Sequence, residues 1–185
     1  MEEVMPQRRE YDYVLLLGAM YETYKSRLLF LEELVNRGIT FKNVALLGAH
    51  RPLEPVYELK PMVNDYICAK LPVNEIEMRE NLYGRSSLRA MVPIKIASPM
   101  KIDSSGKPVR ANTFDTVVDF VKTNTKPGSV LVISNQPYVV RQGLVVASVL
   151  KQPWYIETVG LRPKADIPTD VYLDELARVL YEINK

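Results

Sequence analysis

The stretch Tyr11–Gly18, which reads YDYVLLLG, decides the fold. It is nearly continuous in apolar residues, as is typical of a strand buried on both faces of a parallel sheet. Apolar residues then recur at the spacing of one helix face: Tyr24, Leu28, Leu31 and Val35. Gly38 suits the end of that helix, and Asn43–Leu47 is a second apolar run closed by a glycine. Tyr11–Leu47 is therefore predicted to be a βαβ unit.

The rest of the chain continues this alternation of apolar runs and amphipathic helices. Strands are predicted at Val92–Ala97, Ser129–Ser134 and Trp154–Val159, with a polar loop at Ser98–Arg110. Helices are predicted at five further places: at Pro61–Lys70, after the caps Asn74 and Asn112, at Val139–Leu150, and from Asp170. The last helix is expected to pack through one apolar face, made of Tyr172, Leu176, Val179, Leu180 and Ile183.

This pattern predicts one α/β domain over residues 1–185. Its architecture is a three-layer, Rossmann-like sandwich with a central, mostly parallel sheet of about five strands. Within it, Tyr11–Leu17, Asn43–Leu47 and Ser129–Ile133 are expected to be adjacent central strands, because they are the most continuously apolar runs.

Charge and hydropathy exclude several classes of partner. The formal net charge is +2, from 24 basic and 22 acidic residues, which gives no electrostatic footprint for nucleic acid or an anionic membrane. The longest apolar stretches are Tyr13–Met20 and Gly143–Leu150, far short of the ~20 residues that span a bilayer. The N-terminus has no apolar core of the signal-peptide kind, so a cytoplasmic location is expected.

The cysteine and histidine content excludes two kinds of site. Cys68 is the single cysteine and His50 the single histidine, so neither a disulfide framework nor a structural zinc site is expected. No metal ligand set is predicted. Cys68 lies among apolar neighbours and is interpreted as a small buried hydrophobic residue.

Ligands of open parallel sheets bind beyond the carboxyl ends of the strands, and this rule selects three loops. They are Gly18-Ala19-Met20, Gly48-Ala49-His50-Arg51-Pro52, and the segment from Ser134 to Tyr138 that runs into Arg141. The carboxyl ends of adjacent parallel strands share one edge, so the three loops are expected to converge there.

Each loop has a functional and a structural interpretation. Gly18 allows an anion to approach a helix N-terminus, but it is equally a strand-to-helix turn, since no G-x-G-x-x-G or Walker sequence is present. His50 is a weak candidate for a catalytic group. Arg51 is the better anion contact, because a guanidinium is always charged and binds bidentately.

The third loop leaves similar alternatives open. Ser134 and Asn135 either hydrogen-bond a ligand or cap the following helix. Arg141 stands among apolar residues, so it needs either an acidic partner, with Glu54 or Glu58 as the candidates, or an anionic ligand.

These loops resemble the YdcF/SanA-type family, whose members have a Rossmann-like domain. Val14–Gly18 followed by Arg27 stands at the family's first strand, glycine-rich turn and downstream arginine. Val44–Glu58, VALLGAHRPLEPVYE, stands at a strand ending in paired glycines and an acidic stretch ending in a Ser-Glu pair. Gly48 keeps the first of those glycines, and Tyr57-Glu58 stands at the Ser-Glu pair.

A third matching segment begins at Asn112-Thr113, the family's Asn-Thr pair, and continues after a helix with VLVISNQPYVVR. Three residues of that string, Ser134, Asn135 and Arg141, stand at the family's threonine, serine and arginine. The chain departs from the family at several positions: one glycine in the first turn, Ala49 for the second paired glycine, Thr116 for an asparagine and Tyr138 for a histidine.

The resemblance implies a site that binds a small anionic or nucleotide-like ligand, with S-adenosylmethionine as the proposed cofactor. The implied ligand-binding residues are Gly18, Arg27, Gly48, Arg51, Glu58, Asn112, Ser134, Asn135 and Arg141. Glu58 and His50 are the candidates for a catalytic role, although the resemblance assigns no reaction. A segment around 79–110 exceeds the family's length and is expected to contain an insertion.

The alternative is a non-catalytic protein-interaction module, which Tyr138 and the reduced glycine content favour. The sequence leaves open whether the chain is an enzyme, and it does not fix an oligomeric state.

Overall fold

A computed structural model describes residues 2–65, 70–124, 126–163 and 167–185. It contains seven strands in those ranges: β1 (Glu10–Leu16), β2 (Thr40–Ala49), β3 (Ile94–Ser98), β4 (Lys101–Ile102), β5 (Pro108–Val109), β6 (Ser129–Asn135) and β7 (Tyr155–Leu161). Five of these strands form one parallel sheet in the order β3-β2-β1-β6-β7, and β4 pairs with β5 as a short antiparallel hairpin. The prediction of a mostly parallel sheet of about five strands is confirmed.

The described helices are α1 (Tyr21–Asn36), α2 (Lys60–Asp65), α3 (Glu75–Arg85), α4 (Thr113–Thr123), α5 (Val139–Val149) and α6 (Thr169–Ile183). A single π-helical turn, Pro55–Leu59, precedes α2. The helix predicted at Pro61–Lys70 corresponds in part to α2, whereas Cys68 lies outside the described residues. Asn74 and Asn112 cap α3 and α4 as expected, and each accepts a hydrogen bond from the backbone N–H three residues later.

The central sheet buries alternate residues of each strand in two separate cores. Val14 and Leu16 of β1 pack toward α1 and α3, in a core that contains Tyr24 and Met78. Leu15 of β1 belongs to the opposite core, together with side chains of α4, α5 and the adjacent strands. This two-sided burial explains why the central strands are almost unbroken in apolar residues, and it gives the three-layer, Rossmann-like sandwich that the sequence predicted.

The three most apolar runs are the adjacent central strands. Tyr13 and Leu16 of β1 align with Val130 and Ile133 of β6, while on its other side β1 pairs in parallel with β2. The chain proceeds outward from β1 through β2 to β3 and then crosses back to β6. The order therefore reverses between β1 and β6, where the loops after these strands diverge and leave a crevice.

The segment 98–110 is more ordered than the predicted loop. It contains the β4–β5 hairpin, whose turn is closed by the Asp103 carboxylate. That carboxylate accepts hydrogen bonds from the backbone N–H groups of Ser105 and Lys107, at 2.8 and 2.9 Å. Gly106 supplies the positive φ of the turn.

The expected apolar face of α6 is wrong. Leu176, Leu180 and Ile183 are between 52% and 62% exposed, whereas the fully buried side chain of this helix is Glu175. The reason is electrostatic: Glu175 Oε1 accepts a hydrogen bond from Arg141 Nε of α5 at 2.7 Å. The ion pair holds Glu175 inward, while Tyr172 and Val179 of the expected face are half-buried and its other three side chains are exposed.

Among the described helices, none combines the length and the apolar character that crossing a lipid bilayer requires.

Candidate ligand-binding site

A cavity of about 550 Å³ opens at the carboxyl edge of the sheet. Its walls come from the loop after β1, the end of β2, the first turns of α4 and α5, and the inward side of α6. The lining residues are Gly18, Ala19, Met20, Thr23, Arg27, Gly48, Ala49, Glu75, Arg110, Ala111, Asn112, Thr113, Phe114, Thr116, Tyr138, Arg141, Gln142, Val145, Arg178, Glu182 and Lys185. The cavity therefore lies at the reversal of strand order, where α/β sheets bind their ligands.

The two loop glycines make room for buried side chains beneath the cavity. A Cβ at Gly18 would overlap Glu75 Oε1 and lie 2.8 Å from the carbonyl oxygen of Leu47. A Cβ at Gly48 would overlap the guanidinium of Arg79, with Nη2 only 2.6 Å away. Both glycines are thus required by close packing, and their neighbours are charged groups of α3.

Arg27 joins the loop after β1 to the end of β6. Its Nη1 donates to the carbonyl oxygens of Leu17 and Gly18, at 3.0 and 3.2 Å. Its Nε and Nη2 donate to Asn135 Oδ1, and Nη2 also donates to Gln142 Oε1 at 3.2 Å. All these acceptors are neutral, and burial lowers the pKa of Arg27 to about 10.

Ser134 belongs to the same hydrogen-bond network as Arg27. It is fully buried, and its hydroxyl donates to Gln142 Oε1. The guanidinium and the hydroxyl thus share one amide oxygen. The expected convergence of the loops after β1, β2 and β6 is confirmed, and Arg27 holds the first of them to the third.

Arg51 forms a buried ion cluster with two glutamates behind the cavity. Its Nη1 and Nη2 bind Glu58 in a bidentate manner, at 2.5 and 2.9 Å, while its Nε binds Glu75 Oε2 at 2.6 Å. Glu58 also accepts from the backbone N–H groups of Tyr21 and Glu54. One arginine thus links the start of α1, the π-helical turn and α3.

The two glutamates have opposite pKa shifts. Burial alone would raise the pKa of Glu58, but hydrogen bonds from Arg51 and from backbone N–H groups outweigh it and lower that pKa. Burial dominates at Glu75 and raises its pKa, despite the nearby charges of Arg51 and Arg79. Carboxyl groups whose pKa values are driven apart in this way divide naturally into a fixed anion and a proton-exchanging group.

Arg141 lies at the junction of the cavity and α6. The expectation that its structural partner would be Glu54 or Glu58 is wrong, because both of those residues belong to the cluster around the π-helical turn, and its partner is Glu175. The side chain of Arg141 is still 22% exposed and lines the cavity. An acidic partner and access to a ligand, which the sequence presented as alternatives, therefore occur together.

The cavity is rich in positive charge. Five cationic side chains line it, against the two carboxylates of Glu75 and Glu182: Arg27, Arg110, Arg141, Arg178 and Lys185. The N-terminus of α5 adds to this charge, because Tyr138 makes no side-chain cap there, whereas the first N–H of α1 donates to the Glu58 carboxylate. Within the described ranges, Arg110 has no carboxylate within 4 Å.

The residues implied by the family resemblance fall into three groups. Five of them line the cavity: Gly18, Arg27, Gly48, Asn112 and Arg141. Four lie outside its lining and are engaged in hydrogen bonds within the protein: Arg51, Glu58, Ser134 and Asn135. His50 is exposed and lies outside the cavity.

Sequence reasoning missed Glu75 and Arg79, the charged groups nearest the loop glycines. A signal for both was present, since Glu75, Met78, Arg79 and Leu82 occupy one face of α3 at helical spacing, and all four are buried. Charged residues at core positions of an amphipathic helix need partners: Glu75 binds Arg51, and Arg79 donates to the backbone carbonyl oxygens of Glu75 and Ile96. Arg178 and Lys185 carried no comparable signal, because α6 was oriented the wrong way in the prediction.

Comparison of the chain with models of protein families, with curated proteins and with solved structures gave no match.

Proposed function

We propose that this protein binds a small anionic or nucleotide-like ligand in the cavity at the carboxyl edge of its sheet. The observation that carries the proposal is the concentration of cationic side chains around a cavity at the reversal of strand order. Guanidinium groups favour phosphate and carboxylate, which they bind through paired hydrogen bonds. The N-terminus of α5 favours the same kind of ligand, because Tyr138 makes no side-chain cap there. The first N–H of α1, by contrast, already donates to Glu58.

The size of the cavity supports a ligand larger than a single phosphate. Its volume of about 550 Å³ lies within the range of small-molecule and cofactor sites. S-adenosylmethionine, which the YdcF/SanA-type resemblance implies, is one candidate, and adenosine monophosphate tests the nucleotide class with a different charge. The ribose-bearing part of either molecule would face the loops of Gly18 and Gly48.

The test is a titration followed by thermal unfolding, with inorganic phosphate, adenosine monophosphate and S-adenosylmethionine as probes. A ligand at ~100 times its dissociation constant stabilises the native state by about 2.7 kcal/mol, which is a clear shift in Tm. Arg110→Gln should weaken the binding of anionic probes about tenfold, since it removes one charge-assisted hydrogen bond. Arg89→Gln is the matched control, because Arg89 is equally exposed and lies outside the cavity.

A second candidate, the protein-interaction module, is favoured by the exposed apolar stripe of α6. The partner that this helix fits is a second copy of the chain in antiparallel orientation. Leu173, Leu176, Leu180 and Ile183 of one copy would then pack against the same four side chains of the other. Light scattering over a wide range of protein concentrations tests this: a mass that stays monomeric rejects self-association, and a dimer that Leu176→Gln dissolves supports it.

A further inference from the structure

Glu75 is one of two carboxylates in a cavity that is lined by five cationic side chains. It is 4% exposed, and its Oε2 binds Arg51. Its other oxygen, Oε1, lies directly over Gly18, which also lines the cavity. In the described part of the chain, no N–H or O–H group donates to Oε1. Oε1 of Glu75 is therefore an acceptor in the cavity wall that can receive a hydrogen bond from a bound ligand.

The oxygen without a donor distinguishes Glu75 from Glu58. Both glutamates share Arg51, yet Glu58 receives four hydrogen bonds: two from that guanidinium and two from backbone N–H groups. Glu58 is fully buried and does not line the cavity. A buried carboxylate with unfilled acceptor capacity is costly, so the demand for a donor lies at Glu75 and not at Glu58.

Gly18 keeps that oxygen accessible from the cavity. Any side chain at this position would overlap Oε1. The loop after β1 is thus shaped so that a ligand atom can approach Glu75 across bare backbone, as glycine permits. Two of the cationic groups come from other walls of the cavity: Arg110 lies next to the cap of α4, and Arg141 lies on α5.

We infer that the cavity selects organic anions that also carry a hydroxyl or ammonium group, and that Glu75 Oε1 accepts the hydrogen bond from that group. The inference rests on the proposed function and deepens it. The anionic end of the ligand lies against Arg110 and Arg141, and the donor end lies over Gly18. Sugar phosphates, nucleotides with an intact ribose and phosphorylated amino alcohols belong to this class, whereas simple alkyl phosphates do not.

The test uses two pairs of probes that carry the same phosphate group and match in approximate size; the first pair also matches in charge. Ribose 5-phosphate is compared with pentyl phosphate, and phosphoethanolamine with ethyl phosphate, by calorimetric titration of the intact chain. A hydrogen bond to a charged acceptor predicts about a tenfold preference for the donor-bearing member of at least one pair. This comparison needs no variant, so it stays decisive even if substitutions impair folding.

Two matched variants then assign the preference to one oxygen. Glu75→Gln should reduce the preference several-fold, because a neutral amide is a weaker acceptor. Glu58→Gln removes the other carboxylate of Arg51 and should leave the preference unchanged. A preference that survives in Glu75→Gln, or that is lost equally in both variants, overturns the role of Glu75.

The outcomes also separate this inference from the proposed function. Equal affinity for both members of both pairs overturns the selection by Glu75 and leaves anion binding intact. Absence of binding by every probe, inorganic phosphate included, overturns anion binding and this inference with it.

Discussion

Arg27 donates two hydrogen bonds to a single atom, Asn135 Oδ1, from its Nε at 2.9 Å and its Nη2 at 2.7 Å. The two residues are separated by 108 positions in the chain and belong to α1 and β6. The same guanidinium reaches the backbone of the loop after β1. The crevice between β1 and β6 is therefore held at a fixed width by one buried side chain.

Arg27→Met should destabilise the protein by about 3 kcal/mol, because it leaves several buried acceptors without donors. Arg27→Lys should recover only part of this loss, since one ammonium group cannot reproduce the planar arrangement of donors. Urea unfolding measures both effects as changes in midpoint. A Met variant as stable as the wild type would show that the crevice is held by packing alone.

Glu58→Gln and Glu75→Gln should change the pH dependence of stability in opposite directions. The folded pKa of Glu58 is lowered, so its contribution is present above its ordinary value of 4.5 and is lost as the pH falls. The folded pKa of Glu75 is raised, so its contribution is complete below 4.5 and is lost as the pH rises through the folded value.

The measurement is the free energy of unfolding between about pH 2 and pH 7, taken as wild type minus variant. This difference should increase with pH for Glu58→Gln and decrease with pH for Glu75→Gln. Parallel slopes for the two variants would contradict the assignment of opposite shifts to carboxylates that share Arg51.

Gly48→Ala and Gly84→Ala should have effects of opposite sign. A Cβ at Gly48 overlaps the buried guanidinium of Arg79, so we expect a loss of about 1–3 kcal/mol through overpacking. Gly84 is exposed in α3 with nothing near its Cβ position, so alanine should stabilise the helix by about 1 kcal/mol. Thermal unfolding of both variants decides this, and a stabilising Gly48→Ala would mean that Arg79 can move aside.

Arg141→Met should reduce both stability and anion binding. It leaves the buried carboxylate of Glu175 unpaired, at a cost of about 3 kcal/mol, and it removes a cation from the cavity. Glu175→Gln breaks the same ion pair but should not weaken the binding of inorganic phosphate, because Arg141 remains. Unfolding measures the ion pair in both variants, and phosphate titration measures the contact with the anion. Equal loss of phosphate binding in both variants would show that Arg141 has only a structural role.

The central sheet was predictable from the sequence, because burial on both faces of a strand requires apolar residues at successive positions. Tyr11–Leu17 and Ser129–Ile133 are apolar at almost every position, which is typical of strands covered on both faces. Their composition therefore predicts central positions in the sheet. The convergence of the loops then follows from parallel pairing, without knowledge of any side chain. The caps of α3 and α4 are equally local, and Asn74 and Asn112 were found from their own positions.

The orientation of charged side chains was not predictable in the same way. Arg51, Glu58 and Glu75 come together from three segments, and nothing local distinguishes a buried glutamate from a solvated one. The face of α6 was misread because its periodicity is real, but a single ion pair between Arg141 and Glu175 decides which side turns inward. Hydrophobic periodicity thus identified this helix without fixing its orientation.

The position of the cavity between β1 and β6 has a consequence for folding. The contacts across this crevice join distant parts of the chain, as the 108 positions between Arg27 and Asn135 show. Closing so long a loop carries a large entropic cost, so this strand pairing is expected late, after the β1–α1–β2 unit has formed locally. A nascent chain would then acquire its binding site only when β6 has joined the sheet, and ligand binding would report the completion of folding.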